Sequence, residues 1–547
     1  MDKISENPAL NSILKSLKNI ENRLSQVETK LQIETEKVED EVQPTPAAVK
    51  PVTDEDLEIR IGEYWIPKVA IMVFIIGMVF FLTFPLKGLS IGFPIAFGYL
   101  MTVVVLIASK SLKKSFAHFT GYAVGGSIII SYLTTLRLHF FGRVQLVSSL
   151  EIEMLLLALI TAGSLVIAVK RDSVYLTAIA LLLAYVTAMI NSNAYLFFIS
   201  LILLSALVVY LTLKYSWRGL LIYGIVLTYF AHLLWFLNNP FFGNALQIVI
   251  SHQINVLFIL VYLFVFSLGC VLRSDKDSEV FNVVLSSFLN AAGGYGLFLI
   301  ITVSNITAYS GLFHVTAFLL SIIISIAYWV RVKSQYSTFI YAMTAYSALS
   351  VAIIFTFSAP SFFIWLCWQS LLVISTALWF RSKFIVLANF IIFIAVLIAY
   401  MVSEGTIGVE SLSFGIVALV SARVLIWQRE RLELKTDQMR VAYLLTSFFI
   451  IPYSLYYIFP SEFVGISWVG LAMVYYLLSS ILKNNKYRLM ALGTLLMTVV
   501  YLLVFGITSS ETMYKIISFL LVAGVLMVIS LIYSRRKSKP KSEENQD

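Results

Sequence analysis

The sequence predicts an all-α protein: a polytopic membrane bundle of about eighteen transmembrane helices in up-down hairpins, preceded by an N-terminal coiled coil. Hydrophobic residues make up 59% of the chain and charged residues 13%, whereas soluble globular proteins average about 45–50% and about 25%. Apolar runs of about 17–24 residues alternate with short polar turns, and about 20 apolar residues cross a bilayer core. Basic residues mark every second turn, as expected for a chain that crosses repeatedly.

Residues 1–40 are predicted to form a cytoplasmic coiled coil. Apolar residues recur at alternating spacings of three and four over three heptads, with Leu at position a and Ile or Val at position d. These residues are Leu10, Ile13, Leu17, Ile20, Leu24, Val27 and Leu31. Leu at a with Ile at d favours more than two strands in parallel coils, so the seam predicts a homo-oligomer. The alternative is a single amphipathic helix that folds back on the chain or lies on the membrane.

A flexible linker follows at residues 41–63, where Pro44, Pro46 and Pro51 stand among small and acidic residues. The transmembrane domain is predicted over 64–534, and a basic, polar cytoplasmic tail over 535–547. The predicted spans are 65–84, 89–108, 116–136, 151–169, 174–190, 195–213, 219–237, 254–272, 280–303, 312–330, 337–357, 361–380, 384–402, 411–427, 440–459, 464–482, 487–506 and 514–534.

The distribution of Lys and Arg predicts the topology. With a cytoplasmic N-terminus, the inner turns and the tail hold 26 basic residues, and the outer turns hold only Lys87, Arg137, Arg143 and Lys515. A missed span would exchange the inner and outer turns downstream of it. Because the basic turns stay on the inner side up to the C-terminal tail, an even number of spans near eighteen is expected. Basic turns recur every 45–60 residues, which makes the helical hairpin the unit of the fold.

Several functional classes are disfavoured by the sequence. The formal charge of +9 lies in short turns beside apolar runs, which indicates lipid headgroups and not nucleic acid as the partner. Cys270 and Cys367 lie inside apolar runs and are interpreted as small apolar side chains. Walker, HExxH and GxSxG motifs are absent, so no cofactor or metal is predicted. Acidic residues are also missing from the middle of the spans, which disfavours a pump with a buried acidic relay.

The outer turn between the third and fourth spans is the first candidate site. Arg137, His139 and Arg143 lie in it, and Glu151 and Glu153 open the next span. Because Arg holds phosphate in a bidentate geometry, one hypothesis places an anionic lipid headgroup here, at the outer mouth of a cavity near His232. The alternatives are a local Arg–Glu pair and simple contact with outer-leaflet headgroups.

Two deep polar residues, His232 and Asn290, are also candidates, either for the lining of a cavity or for structural hydrogen bonds. His139, His232, His252 and His314 all fall toward the outer side. They lack the spacing of metal ligands along one helix, so a metal site would require convergence from different helices. The stretch from Gly293 to Gly296 predicts a small-residue face for close helix packing.

The order of segments in the chain, a coiled coil, a linker and then many membrane helices, resembles that of the bacterial membrane family called domain of unknown function 2339. The similarity is carried by the entry to the first span, Ile61-Gly62-Glu63-Tyr64-Trp65-Ile66-Pro67-Lys68-Val69 with Gly77 and Phe80-Phe81, and by the third span from Gly121-Tyr122 through Gly125-Gly126 to Tyr132-Leu133. It is clearest over residues 1–240. The resemblance implies a bacterial inner membrane and supplies no catalytic residues.

Three functions follow from these features. The first is transport or flipping of an amphipathic, lipid-like molecule, for which the many helices would enclose a weakly polar pathway. The second is an oligomeric scaffold for envelope processes, assembled through the coiled coil. The third is a membrane-embedded transferase, which would need an acid or base near an interface. A cavity open to one leaflet would be the most informative observation, and a solid bundle would favour the scaffold.

Overall fold

The computed structural model describes ten stretches of the chain and six further positions. These are 66–84, 90, 92–111, 117–141, 144–191, 193–238, 254–272, 281–305, 309–403, 408–427 and 436–504, with residues 516, 520, 523, 524 and 527. The predicted coiled coil, linker and tail lie outside the described residues. So do Arg143, His252 and nearly all of the predicted eighteenth span.

Seventeen helices occupy the described residues, and each coincides with one of the first seventeen predicted spans. In chain order they are α1 (Ile66–Thr83), α2 (Phe93–Ser111), α3 (Ala117–Leu136), α4 (Leu150–Lys170), α5 (Val174–Ile190), α6 (Ala194–Tyr215), α7 (Arg218–Phe236), α8 (Asn255–Val271), α9 (Phe281–Asn305), α10 (Ser310–Ala327), α11 (Gln335–Thr356), α12 (Ser361–Trp379), α13 (Lys383–Ser403), α14 (Ser411–Trp427), α15 (Thr436–Ile458), α16 (Ser461–Ile481) and α17 (Asn485–Val504).

Twelve of these helices are long and apolar enough to cross a membrane, and α5, α8, α14 and the apolar part of α1 are shorter. The protein is therefore an all-helical, multi-pass membrane protein over its described residues. Contacts are most extensive between helices that flank a basic turn: α2 with α3, α10 with α11, α14 with α15, and α16 with α17. The hairpin is the packing unit, as the spacing of basic turns predicts.

The outward surface is apolar, and the interior combines an apolar core with many buried polar residues. Leu155, Leu203 and Val402 are 62%, 64% and 80% exposed, which suits contact with lipid. Many buried polar residues are Ser or Thr. Their hydroxyls donate to carbonyls one turn back, as from Ser205 to Leu201 at 2.7 Å. These short side chains satisfy their own hydrogen bonds and let helices approach closely.

Two large buried clusters share α11. One joins residues of α5 to α11, and the other joins residues of α11 to α17. Tyr341 and Ala348 of α11 belong to the first cluster, whereas Ala342 and Tyr346 belong to the second. This helix therefore links the two halves of the core, and the face it presents to α12 and α13 borders the cavity described below.

Candidate functional site

Arg137 fastens the end of α3 to the end of α1. It follows the last residue of α3 and is 7% exposed. Its guanidinium donates to the carbonyl oxygen of Leu82 and, at 3.5 Å, to that of Phe84. Carbonyls in the last turn of a helix lack intrahelical donors, so a buried cation is an effective partner for them. Both described hydrogen bonds of Arg137 are thus structural, and neither goes to a carboxylate.

His139 lies in the turn that follows and orders it. Its Nδ1 donates to the carbonyl oxygen of Val147 at 2.8 Å, and its ring packs edge-on against Phe140 at 4.8 Å. The amide groups of Leu146 and Val147 both donate to the carbonyl of Leu138. The turn is therefore closed on itself, with the other imidazole nitrogen free to face α4.

The two glutamates at the start of α4 have opposite environments. Glu151 is exposed and accepts from the Ser149 hydroxyl at 2.6 Å, while Ser149 also caps the helix by accepting from the amide of Ile152. Glu153 is fully buried, and neither carboxylate oxygen has a hydrogen-bond partner in the described part of the chain. His139 is its electrostatic partner. The structure thus brings Arg137, His139 and Glu153 to one end of the α1–α3–α4 group.

A pair of substitutions tests the burial of Glu153. We expect Glu153→Met to raise the free energy of unfolding by about 1–2 kcal/mol, because it removes an unsatisfied carboxylate from an apolar site. Glu151→Met is the matched control. It should lower stability slightly, since it removes an exposed carboxylate from the positive end of a helix. Equilibrium unfolding in mixed micelles measures both, and a loss of stability in Glu153→Met would show that this carboxylate has a stabilising partner.

His232 lies in a separate aromatic enclosure on α7. It is fully buried, with its ring 4.8 Å from Phe198 of α6, 5.8 Å from Tyr262 of α8 and 6.3 Å from Trp235. Neither ring nitrogen has a hydrogen-bond partner among the described residues. The described contacts of His232 are therefore with these rings, and none is with the outer turn.

Asn290 of α9 is the centre of a hydrogen-bonded network that joins four helices. Its Oδ1 accepts from Tyr229 of α7 at 2.8 Å. Its Nδ2 donates at 2.9 Å to the carbonyl of Leu263 on α8 and to the hydroxyl of Tyr341 on α11. These three bonds tie α9 to α7, α8 and α11, which is the arrangement expected of a structural hydrogen-bonding residue.

The glycines beside Asn290 allow this network to form. A Cβ on Gly293 would lie 2.8 Å from the ring of Tyr229, and one on Gly294 would lie 2.7 Å from its hydroxyl and 2.5 Å from Leu263. Gly296 has nothing within 4 Å of such an atom. Close helix packing therefore explains why Gly293 and Gly294 lack a side chain, as predicted for this stretch. It does not explain the glycine at position 296.

A cavity of about 240 Å³ lies between α11, α12 and α13. Its polar lining comes from Ser347 and Ser350 of α11, Gln369 and Ser370 of α12, and Asn389 of α13. Sequence analysis missed this site. The signal was available, because Gln369 and Asn389 are deep amides like Asn290 and are costly in lipid unless they face a partner or a cavity.

The polar groups of the cavity are held by bonds between helices. Gln369 Nε2 donates to the carbonyl of Tyr346 at 2.9 Å and to Ser350 Oγ at 3.0 Å. Asn389 Nδ2 donates to Ser370 Oγ at 2.8 Å and to the hydroxyl of Tyr443 at 3.1 Å. These bonds orient both amides before any ligand binds, which reduces the entropy lost on binding.

Within the described residues, no three His, Cys, Asp or Glu side chains converge as metal ligands. Cys270 and Cys367 are both buried and are not joined by a disulfide, which agrees with their interpretation as small interior side chains. No family model, curated protein or solved structure matches this chain.

Proposed function

We propose that this membrane protein binds an amphipathic, lipid-like molecule and moves it across the bilayer. The observation that supports the proposal is the cavity between α11, α12 and α13, whose mostly apolar wall carries a few polar side chains inside membrane-spanning helices. Polar side chains are costly in lipid, and a solid scaffold has no need of them around an open space. A molecule with a polar headgroup and apolar tails uses such a space.

The wall of the cavity suits a molecule that enters from the lipid. Ser347, Ile354 and Ile392 line it and are exposed on the outer surface of the bundle, whereas Gln369 and Asn389 are at least nine-tenths buried. Helix α12 packs more extensively against α13 than against α11, and α11 and α13 touch each other little. The exposed lining residues come from α11 and α13, whereas the buried amides come from α12 and α13.

Reconstitution tests the proposal directly. Proteoliposomes containing fluorescent lipids with different headgroups are treated with an impermeant quencher, and the loss of protected signal reports transfer between leaflets. We expect the protein to accelerate transfer of at least one lipid above the rate in protein-free vesicles. We expect Val396→Trp, which fills the cavity, to slow transfer at least tenfold. Val402→Trp on the lipid-facing side of the same helix is the control and should have no effect. Equal rates with and without protein for every lipid would overturn the proposal.

The heptad seam from Leu10 to Leu31 supports a second candidate, an oligomeric scaffold. We expect a peptide of residues 5–40 to form a helical oligomer larger than a dimer. Analytical ultracentrifugation measures its mass, and Leu17→Asp with Leu24→Asp should give monomers because each places a charge in the seam. A helical monomer from the unmodified peptide at high concentration would remove this candidate.

The location we propose is a bacterial inner membrane, as the resemblance to the family called domain of unknown function 2339 implies. We also propose that both termini lie in the cytoplasm. The support is the partition of 26 inner against 4 outer basic residues. Reporter fusions after residues 112, 274, 382 and 485 should report cytoplasm, and those after 193, 307, 358 and 407 the outer side. A reversal of phase along this series would exclude eighteen spans.

A further inference from the structure

We infer that the cavity between α11, α12 and α13 recognises a lipid with an uncharged, hydroxyl-bearing headgroup, of which a monoglycosyl diacylglycerol is the simplest example. The inference rests on the proposed function and specifies its substrate class. It depends on the charge of the lining, on the hydrogen-bonding groups that the lining leaves open, and on the size of the space.

The lining carries no charged side chain. A phosphate or carboxylate that entered the cavity would lose its hydration without gaining a cation, and an ammonium group would find no carboxylate. Burial of an unpaired charge is far more costly than burial of a hydroxyl that finds a hydrogen bond. The cavity therefore discriminates against charged headgroups, although it lies in a strongly basic protein.

The amide of Asn389 leaves one acceptor open at the cavity. The described bonds of Asn389 all use Nδ2, so its Oδ1 remains an acceptor on a side chain that is only 4% exposed. The hydroxyl of Ser347 lines the cavity and has no described hydrogen bond, so it can donate or accept. An open acceptor beside a free hydroxyl complements the hydroxyl groups of a ligand.

The volume of the cavity limits the size of the headgroup that it can hold. A volume of about 240 Å³ corresponds to roughly eight molecules of liquid water at about 30 Å³ each. This accommodates a single small headgroup and excludes an oligosaccharide. The exposed lining residues of α11 and α13 leave the acyl chains in the surrounding lipid. A glycolipid with one sugar fits both conditions, and its hydroxyls make unaided passage through the hydrocarbon slow.

Native mass spectrometry of the full chain released from micelles tests the inference. The probes are monoglucosyl diacylglycerol, phosphatidylglycerol with the same acyl chains, and unmodified diacylglycerol. We expect the glucosyl lipid to bind at least tenfold more tightly than phosphatidylglycerol. Ser347→Ala should weaken its binding about threefold to tenfold, the effect of one lost hydrogen bond, and should fold normally because Ser347 is exposed. Asn389→Leu should weaken binding further.

Ser375→Ala is the matched control, because it removes an exposed hydroxyl of α12 that does not line the cavity, and it should leave binding unchanged. Equal or tighter binding of phosphatidylglycerol would overturn the inference, as would unchanged binding of the glucosyl lipid in Ser347→Ala and Asn389→Leu. A failure of the proposed function can be distinguished from a failure of this inference. Transfer of phosphatidylglycerol without selective glycolipid binding would reject the ligand class alone, and selective binding without transfer of any lipid would reject translocation alone.

Discussion

Gly294→Val is expected to destabilise the protein by about 3 kcal/mol. The first atom of the new side chain would lie 2.5 Å from Leu263 Cδ1 and 2.7 Å from the Tyr229 hydroxyl, closer than real contacts allow. Overpacking of a core costs about 1–3 kcal/mol. Here the displaced Tyr229 also donates to Asn290, so a hydrogen bond in a low-dielectric interior is lost with it.

Gly296→Val on the same helix is the matched control and should change stability by less than about 1 kcal/mol, because nothing lies within 4 Å of a Cβ at that position. Reversible unfolding in mixed micelles measures both variants. Addition of Leu263→Ala to Gly294→Val should recover part of the loss, since it removes the nearest side-chain atom. Equal effects at Gly294 and Gly296 would contradict the close approach of α7, α8 and α9.

Asn290→Leu is expected to lower the free energy of unfolding by about 2–3 kcal/mol. The substitution leaves the hydroxyls of Tyr229 and Tyr341 and the carbonyl of Leu263 without their described amide partner. Side-chain hydrogen bonds in membrane bundles contribute about 0.6 kcal/mol on average and up to about 1.7, and three are broken at once. Because these bonds join α7, α8, α9 and α11, the loss should loosen all four helices.

The conservative variants Tyr229→Phe and Tyr341→Phe should each cost about 0.5–1.5 kcal/mol. Combined with Asn290→Leu, neither should add its full single-variant cost, because their shared partner is already missing. A double-mutant cycle from the same unfolding measurements gives the coupling. Additive effects would show that the two tyrosine hydroxyls have other partners and that Asn290 is not the centre of the network.

The positions of seventeen helices follow from the sequence because the signal that defines them is local. A run of about 20 apolar residues must become helical in lipid, where every backbone polar group needs a partner inside its own segment. The pairing of helices across basic turns follows as well, since a short turn leaves its two helices side by side. The close-packing role of Gly293 and Gly294 is predictable for the same reason, because small residues clustered in a span are typical of a helix interface.

Only the tertiary structure determines which partners the polar residues contact and which of them are buried. Arg137 and Leu82 are 55 positions apart, so the sequence could not show that this arginine donates to the carbonyls at the end of α1. Glu151 and Glu153 are two positions apart, yet helical geometry and the neighbouring helices leave one exposed and bury the other.

Asn290 and Asn389 give the sharpest comparison between sequence and structure. Each is an amide in an apolar span, yet the first is saturated by three helices around it and the second keeps an open acceptor at a cavity. Membrane insertion depends on the hydropathy of each segment. A binding site depends on which side chains converge from segments far apart in sequence, and only the packing of α11, α12 and α13 determines that.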